Sequence, residues 1–239
     1  MQKENKLNLK VFGRLALFSD PVTRVGGEKC SYQIPTYQAL KGIFESCYWK
    51  PSFIWVIDRV RVMKQIKTQS KGIRPIKYGG GNDLSIYTYL SDVEYQVEAH
   101  IEWNENRPDL ENDWNENKHY FIAKRMIEKG GRRDIFLGTR ECQAYVEYCS
   151  FGEGDGFYDN LSEMSFGLMY HGMTYPDENQ ENELRVRFWL PKMKNGIIEF
   201  CKPTECNFSR IIKKNAPKGF SYGTNFEDCN VLAREEGYE

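Results

Sequence analysis

Histidine is scarce in this chain, which has only 3 histidines in 239 residues. The cysteines number 7, an odd count, and no two of them have the CxxC spacing typical of zinc and redox motifs. We therefore expect reduced thiols without a disulfide framework, and no structural zinc site. The sequence also lacks a Walker loop and a GxGxxG motif. We expect neither a metal nor an organic cofactor.

Long hydrophobic runs are absent as well. No segment approaches the roughly 18–20 apolar residues that cross a bilayer, and residues 1–10 lack the apolar run of a signal peptide. We expect a cytoplasmic protein without membrane contact. The length of 239 residues is typical of one large domain, or of a main domain with a smaller appendage.

The net charge of −1 conceals a block of one sign. Between Arg59 and Tyr78 the chain has no acidic residue. A polyanion lying along this block would release condensed counterions as its phosphates are neutralised. A solvated strand face whose charges repel weakly through water is the alternative. The basic residues of the block are Arg59, Arg61, Lys64, Lys67, Lys71, Arg74 and Lys77.

Hydrophobic patterns predict alternating strands and helices through the first 151 residues. Their order, β–α–β–β–α–β, is the split βαβ or ferredoxin-like motif of α+β proteins, in which helices cover one face of an antiparallel sheet. A β-hairpin extension is expected over residues 70–90, with its turn at Gly79-Gly80-Gly81-Asn82. The predicted elements are a strand at 7–18, a helix from Thr36 to before Pro51, strands at 52–68 and 93–103, a helix at 117–129 and a strand at 142–151.

A polar, glycine-rich connection at residues 152–164 is the best internal boundary. Beyond it, residues 166–175, 183–190 and 196–201 predict three antiparallel strands. We therefore expect a ferredoxin-like domain over residues 1–151, a small antiparallel β unit over residues 152–215, and a C-terminal tail over residues 216–239.

Catalytic candidates lie at the facing ends of the two predicted helices. Lys118 and His119 begin the second helix, where the partial positive charge of the helix N-terminus favours a neutral, proton-accepting imidazole. Tyr48 ends the first helix, near Lys41. Because both helices pack on one sheet face, these ends can approach each other. A Tyr, a Lys and a His suit metal-free RNA cleavage, which needs a base for the 2′-hydroxyl, an acid for the leaving 5′-oxygen and a cation between them.

Each candidate also has a structural interpretation. His119 shares a helix face with Ile122 and Met126, so a hydrogen-bonded core histidine is the alternative. A tyrosine at a helix end is usually a packing residue. We interpret His100 and His171 as structural.

Phosphate contacts are expected from basic residues beside glycines and in loops. Glycines allow a close backbone approach, and arginines bind phosphate bidentately. The predicted RNA-binding residues are Arg24, Lys29, Lys41, Lys71, Arg74, Lys77, Arg132, Arg133 and Arg140.

Several segments together resemble a known family, CRISPR-associated protein family five in its type I-C form, which belongs to the RAMP superfamily. The resemblance is dense from Leu7 to Phe151 and weaker in the C-terminal third. The segments that carry it are Phe18–Pro21, Gly26–Lys29, Pro35–Gly42, Tyr48–Pro51, Ser70–Pro75 and Gly130–Gly138.

The resemblance implies a ferredoxin-like domain with a small antiparallel C-terminal unit, and a metal-independent endoribonuclease that cuts CRISPR precursor RNA at a repeat hairpin. It implies 2′-hydroxyl attack, with cyclic phosphate and 5′-hydroxyl ends. The protein would remain on the 5′ handle of the mature crRNA, as a subunit of the type I-C interference complex. The family's active-site Tyr and Lys-His pair fall on Tyr48, Lys118 and His119.

Other functions remain open at this point. A non-catalytic scaffold would only grip the crRNA handle and dock neighbouring subunits. A general RNA-binding module would show no preference for the repeat hairpin. Binding of duplex DNA is also left open.

Overall fold

The computed structural model of this chain describes residues 5–176, 178 and 181–214. It is a mixed fold of helices and antiparallel sheets, which confirms the expected α+β class. The helices are α1 (Pro21–Arg24), α2 (Tyr37–Cys47) and α3 (Glu116–Glu128). The strands are β1 (Lys6–Ala16), β2 (Phe53–Val62), β3 (Thr68–Ile73), β4 (Ser85–Trp103), β5 (Ile135–Phe136), β6 (Gln143–Tyr148), β7 (Met164–Ser165), β8 (Met169–Thr174), β9 (Glu183–Trp189), β10 (Lys192–Lys194), β11 (Ile197–Glu199) and β12 (Phe208–Lys214). None of the described helices is long and apolar enough to cross a membrane.

Two sheets organise the described residues. The larger has the strand order β5-β6-β1-β4-β2-β11-β10-β7, with β3 pairing with the first half of β4. The smaller has the order β12-β9-β8. All pairings in both sheets are antiparallel. Helices α2 and α3 contact each other and pack against β2, β1 and β6, so their ends meet over the sheet.

Strand β4 serves both the core and a projecting hairpin. From Val93 to Ile101 its alternate apolar side chains are buried, as the period-two pattern predicts, and Gln96 and Glu98 between them are buried too. Its first half pairs with β3 to form the hairpin. Asp92, with φ of 52°, lies where the strand passes from the sheet to the hairpin. The predicted turn is confirmed, since Gly80 and Gly81 have φ of 86° and 80°, values that glycine adopts without steric cost.

Capping residues fix the ends of α2. Thr36 accepts a hydrogen bond from the backbone amide of Ala39 at 3.2 Å, which confirms Thr36 as the N-cap. At the other end the chain leaves the helix at Tyr48, which is extended with φ of −156°, while its amide still donates to the Phe44 carbonyl. This geometry directs the Tyr48 side chain out of the helix and toward α3.

Helix α3 has a side-chain N-cap at its start and two glycines at its end. Asn115 is the N-cap and accepts a hydrogen bond from the amide of Lys118 at 3.0 Å. Gly130 and Gly131, with φ of 85° and 99°, stop the helix as predicted, and the Gly131 amide donates back to the Met126 carbonyl.

The C-terminal third differs from the expected three-stranded unit. The segment between β9 and β11 contains a further short strand, β10, which a turn before Gly196 joins to β11, and β11 pairs with β2, where Ile198 lies opposite Val60. Both of these side chains are fully buried, so β11 covers an edge that would otherwise expose apolar surface. Strand β9 pairs instead with β8 and β12. Strands of residues 152–215 thus contribute to both sheets. The boundary at residue 151 stays a prediction, and the tail over residues 216–239 lies outside the described residues.

Candidate functional site

Tyr48 and His119 meet where α2 ends and α3 begins. The Tyr48 hydroxyl lies 2.8 Å from His119 Nδ1. Both side chains are buried, His119 completely. The structure therefore brings together two of the three residues that the sequence predicted, and the His119 side chain itself has no exposed surface.

The partners of His119 determine its tautomer. Its Nε2 lies 2.7 Å from the backbone carbonyl oxygen of Asp113, which can only accept. Nε2 therefore carries the proton, and Nδ1 accepts the hydrogen bond from the Tyr48 hydroxyl. The imidazole is held between the rings of Phe53 and Trp103, at centroid distances of 5.2 and 5.7 Å. This enclosure fixes the ring orientation.

Lys118, unlike His119, has an accessible side chain. Its side chain is half-exposed, and Nζ lies 2.5 Å from Oδ1 of Asp113. The other carboxylate oxygen of Asp113 accepts a hydrogen bond from the Ser52 hydroxyl at 2.8 Å and lies 3.4 Å from His119 Nε2. Asp113 thus links Lys118 and His119. The sequence analysis did not predict a role for Asp113, because Asp113 lies among many acidic residues expected to face solvent. Its position five residues before Lys118 was the one local sign of a contact.

The electrostatics of the site follow from these contacts. Hydrogen bonds from Lys118 and Ser52 hold the pKa of the Asp113 carboxyl below its ordinary value. Burial raises the pKa of the Tyr48 phenol, and the negative charge of Asp113 acts in the same direction. Tyr48 is therefore a neutral phenol at physiological pH, and Asp113 is a carboxylate.

Basic residues lie near this centre. The backbone amides of Arg132 and Arg133 donate to the Ser46 carbonyl at 3.3 and 3.1 Å, which ties the loop after α3 to the last turn of α2. Both side chains are exposed, as is that of Arg140. Arg24 and Lys29 line a cavity of about 470 Å³ that runs along α2 and also includes Ser46. Ser46, two residues before Tyr48, therefore connects the cavity that Arg24 and Lys29 line with the loop that carries Arg132 and Arg133.

The hairpin carries a second basic group. Lys71 lies over the ring of Tyr89, with Nζ 6.0 Å from the centroid, and Lys29 lies over Tyr87 at 5.0 Å. Arg74 and Lys77 are exposed near the turn. Large apolar side chains beside them are exposed too, namely Ile76, Tyr78, Leu84 and Ile86.

Lys41 differs from the expectation for an RNA-binding residue. Its side chain is only 5% exposed, and its ammonium pairs with the carboxylates of Glu178 and Glu45. Its partner Glu178 is remote in sequence, so local pattern gave no sign of this pairing. We correct that prediction: burial and pairing leave Lys41 no surface to offer a phosphate.

The first half of the basic block is also engaged within the protein. Arg59 forms two hydrogen bonds with Glu98 and stacks on Phe151. Arg61 is buried and forms a bidentate pair with Asp159. The β2 part of the block is therefore paired within the protein, whereas Arg74 and Lys77 on the hairpin are exposed.

The remaining histidines have structural surroundings. His100 pairs with Asp58, which is the first cause of its raised pKa. His171 is completely buried and stacks on Tyr37 at a centroid distance of 4.3 Å. Its ring also approaches Cys201 and Cys206. A ring nitrogen of His171 and the two Sγ atoms lie within 4.8 Å of one another. The cysteine spacing was visible in the sequence, but the approach of a histidine from another strand was not.

Comparisons with known proteins agree with the resemblance in the sequence. The family model for CRISPR-associated protein Cas5, in its Cas5d form, matches residues 6–201. A CRISPR pre-crRNA endoribonuclease Cas5d of Mannheimia succiniciproducens is 28% identical over 224 residues, covering 82% of this chain and 94% of that protein. A protein of the same name from Thermus thermophilus is 29% identical over 193 residues, covering 76% and 79%.

Solved structures support the same relationship. The crystal structure of a CRISPR-associated protein has a TM-score of 0.74 at 36% identity, covering 86% of this chain and 96% of that chain. A functionally uncharacterized protein from Streptococcus mutans has a TM-score of 0.72 at 39% identity, with the same coverage. With a family model that matches most of its length, this chain belongs to the CRISPR-associated Cas5 family, in its Cas5d form.

Proposed function

We propose that this protein is a metal-independent, repeat-specific endoribonuclease that processes CRISPR precursor RNA. Its relatives in two bacteria carry the name pre-crRNA endoribonuclease. The observation that supports this function most directly is the 2.8 Å contact between the Tyr48 hydroxyl and His119 Nδ1, with Lys118 at the same helix end. His119 and Tyr48 together can accept a proton, and Lys118 is a cation that can also act as the acid, so the trio contains the groups that RNA transesterification needs.

The tautomer of His119 gives a direction to the proton relay. The 2′-hydroxyl of the RNA gives its proton to the Tyr48 oxygen while Tyr48 passes its own proton to His119 Nδ1. The 2′-oxygen then attacks the adjacent phosphorus. The resulting imidazolium donates from Nε2 to the Asp113 carbonyl at 2.7 Å, and the Asp113 carboxylate at 3.4 Å stabilises its charge.

Lys118 completes the reaction. Its exposed ammonium can leave Asp113 for the charged phosphorane and then protonate the leaving 5′-oxygen. The products are a 2′,3′-cyclic phosphate and a 5′-hydroxyl. The proton on His119 returns to solvent through Tyr48, and Lys118 regains one from water, so the catalyst is restored.

The basic surfaces support a path for the RNA. Arg24 and Lys29 line the cavity along α2, and the loop of Arg132 and Arg133 is hydrogen-bonded to Ser46, which also lines that cavity. Arg140 is exposed, and the hairpin supplies Lys71, Arg74 and Lys77 as further basic residues. We infer that the repeat hairpin lies along α2, and that the β3–β4 hairpin holds the flanking phosphates.

The fold supports two finer proposals. The strand order β6-β1-β4-β2, with α2 after β1 and α3 after β4, matches a ferredoxin-like arrangement of four antiparallel strands and two helices. We also infer that the protein stays on the 5′ handle of the crRNA within a type I-C interference complex. Its exposed hairpin, which is both basic and apolar, suits a surface shared by RNA and a neighbouring subunit.

A cleavage assay on a repeat RNA tests the proposed function. Cutting should continue when a chelator is present, and a 2′-deoxy sugar immediately 5′ of the scissile phosphate should abolish it, because that substrate has no nucleophile. Product ends should be a cyclic phosphate and a 5′-hydroxyl. Loss of cutting under chelation, or cutting of the deoxy substrate, would contradict the mechanism.

A non-catalytic scaffold is the second candidate, and the complete burial of His119 favours it, since a core histidine would look the same. His119→Ala separates the two functions. The nuclease loses cleavage but keeps its affinity for the product handle, whereas the scaffold shows equal traces of cutting in both preparations. Melting temperatures of both proteins, and His100→Ala as a histidine control outside the site, exclude a folding defect as the cause.

A further inference from the structure

A thiol pair outside the proposed active site lies where the chain passes between the two sheets. Cys201 follows β11 of the larger sheet, and Cys206 precedes β12 of the smaller one. Their Sγ atoms are 3.6 Å apart. The pair closes to a disulfide at about 2.05 Å with a small movement of the turn that joins them.

A buried arginine lies against this pair. Arg187 is 3% exposed, its guanidinium contacts the Thr174 hydroxyl and His171 Nδ1, and its charge acts to lower the pKa of the nearby Cys206 thiol. Among the ion pairs formed by described side chains, none includes Arg187. A buried guanidinium needs an anion, because removal of its charge from water is costly when uncompensated. A thiolate at Cys201 or Cys206 is an anion available there.

The protonation of His171 distinguishes a thiolate from a metal. Arg187 Nε–H can only donate, so His171 Nδ1 is the acceptor at 3.5 Å. Nε2 therefore carries the proton, and it donates to the carbonyl oxygen of Cys201 at 3.1 Å. A metal ion at Nε2 would have to displace that proton and lie close to the charge of Arg187. The arrangement favours a negative sulfur over a bound cation.

The ionisation of Cys201 agrees with this geometry. A hydrogen bond from Cys206 lowers the pKa of the Cys201 thiol, and His171 acts in the same direction, while burial opposes them. The pKa of Cys206 is raised, first by its hydrogen bond to Cys201. The pair thus has one sulfur suited to attack and one that holds its proton.

We propose that Cys201 and Cys206 are a reversible thiol–disulfide modification site, with Cys201 as the attacking thiolate, Cys206 as the resolving thiol and a small disulfide such as oxidised glutathione as the oxidant. Both side chains are partly exposed. Cys201 lines a cavity of about 600 Å³, and Cys206 lines another of about 590 Å³. A small disulfide can therefore reach either sulfur.

The reaction balances in two exchanges. The Cys201 thiolate attacks one sulfur of oxidised glutathione, forms a mixed disulfide and releases one glutathione thiolate. Cys206 then loses its proton to that thiolate and attacks the Cys201 sulfur, which expels the second glutathione thiolate. Two protein thiols are oxidised to one disulfide, and oxidised glutathione is reduced by the same two electrons. The ring from Cys201 to Cys206 then fixes the turn that connects the two sheets.

Thiol mapping of the full-length protein tests this site. Purified protein is treated with oxidised glutathione, its remaining thiols are alkylated, and its peptides are examined by mass spectrometry before and after reduction. We expect a Cys201–Cys206 disulfide that reductant reverses. Cys149, a partly buried cysteine whose pKa is raised to about 11 by burial, is the internal control and should remain a free thiol.

Two variants make the test specific. Cys206→Ser should stop the reaction at a glutathione adduct on Cys201. Alkylation of Cys201 at neutral pH should be at least about tenfold faster than that of Cys149, and Arg187→Gln should reduce this ratio more than Arg187→Lys does. A pairing of Cys201 with a different cysteine, or equal alkylation rates, would overturn the proposal. Stoichiometric zinc in the purified protein that Cys206→Ser removes would overturn it too, in favour of a metal site.

Discussion

The Tyr48 hydroxyl lies 2.8 Å from Nδ1 of His119, although the two residues are 71 positions apart in the chain. The contact exists because Thr36 and Asn115 cap two helices that pack on one sheet face, so that the exit of one meets the entrance of the other. It places a buried histidine beside a tyrosine, and in the proposed mechanism Tyr48 takes the proton from the RNA while His119 acts through Tyr48.

Tyr48→Phe tests this division. The change removes one oxygen and keeps the ring against Phe53, so the fold should be preserved. We expect the single-turnover cleavage rate at saturating protein to fall by about 10²–10⁴-fold, the range for loss of a general acid–base group. RNA affinity should change little. Tyr145→Phe, at an exposed tyrosine of β6, is the matched control. A Tyr48→Phe rate close to that of the unmodified protein would exclude Tyr48 from the proton relay.

Much of this site could be predicted from the sequence. The capping residues, the stop at Gly130-Gly131 and the periodicity of the helices are local, and local signals placed Tyr48 and the Lys118-His119 pair at facing ends. The prediction that His119 accepts a proton rests on the same placement at a helix start.

Contacts between remote segments could not be predicted in this way. Glu178 neutralises Lys41, Asp159 neutralises Arg61 and β11 pairs with β2, and each depends on how distant parts of the chain pack. A basic residue in a sequence gives no sign of whether its partner is a phosphate or a carboxylate. For the same reason, the approach of His171 to the two cysteines could not be predicted from the sequence.

Lys41→Met tests whether Lys41 is a buried ion-pair residue and not a contact for RNA. The change removes a buried cation and leaves Glu178 and Glu45 without it, so we expect the free energy of unfolding to fall by about 1–3 kcal/mol, below the range for a fully buried pair because both glutamates are partly exposed. RNA affinity should be unchanged. Lys29→Gln, in the cavity along α2, should have the reverse effects: near-normal stability and weaker binding. Denaturant unfolding and filter binding measure the two quantities. Loss of affinity with normal stability in Lys41→Met would restore the original prediction.

Neutralising the hairpin should affect binding more than chemistry. With Lys71, Arg74 and Lys77 all changed to Gln, the RNA affinity should fall, and the slope of log affinity against log salt should decrease by about 2, near 0.7 for each lost phosphate contact. The bound-state cleavage rate should stay within a few-fold. The control is a triple change of exposed basic residues on β12, namely Arg210, Lys213 and Lys214. A large loss of single-turnover rate with intact affinity would contradict the assignment of the hairpin to binding.

Asp113→Asn should change how stability depends on pH. Hydrogen bonds from Lys118 and Ser52 lower the pKa of this carboxyl in the folded protein, relative to about 3.9 in the unfolded chain. The ionised form therefore stabilises the fold above that value, and the contribution disappears as the pH falls through the lower folded pKa. The difference in unfolding free energy between the protein and Asp113→Asn should be largest near neutral pH and should shrink below about pH 4.

Urea unfolding at several pH values measures that difference. Asp109→Asn is the control, because Asp109 also has a lowered pKa but pairs with Arg107 on the exposed surface. We expect its effect on stability to be smaller at every pH. A gap between the protein and Asp113→Asn that widens toward acid would show that the protonated carboxyl is the stabilising form, contrary to the contacts with Lys118 and Ser52.

Gly138→Ala should destabilise the protein for two separable reasons. Gly138 has φ of 92°, a left-handed conformation, and a Cβ there would lie 2.1 Å from the carbonyl oxygen of Leu17. Gly152 has nearly the same φ, 91°, but a Cβ would meet nothing within 4 Å. Gly152→Ala should therefore cost only the backbone term of about 1–2 kcal/mol, and Gly138→Ala about 3 kcal/mol or more, because the chain at Leu17 must also move. Thermal and denaturant unfolding measure both values. Equal losses in the two variants would show that Leu17 yields without cost and that backbone conformation alone explains the glycine.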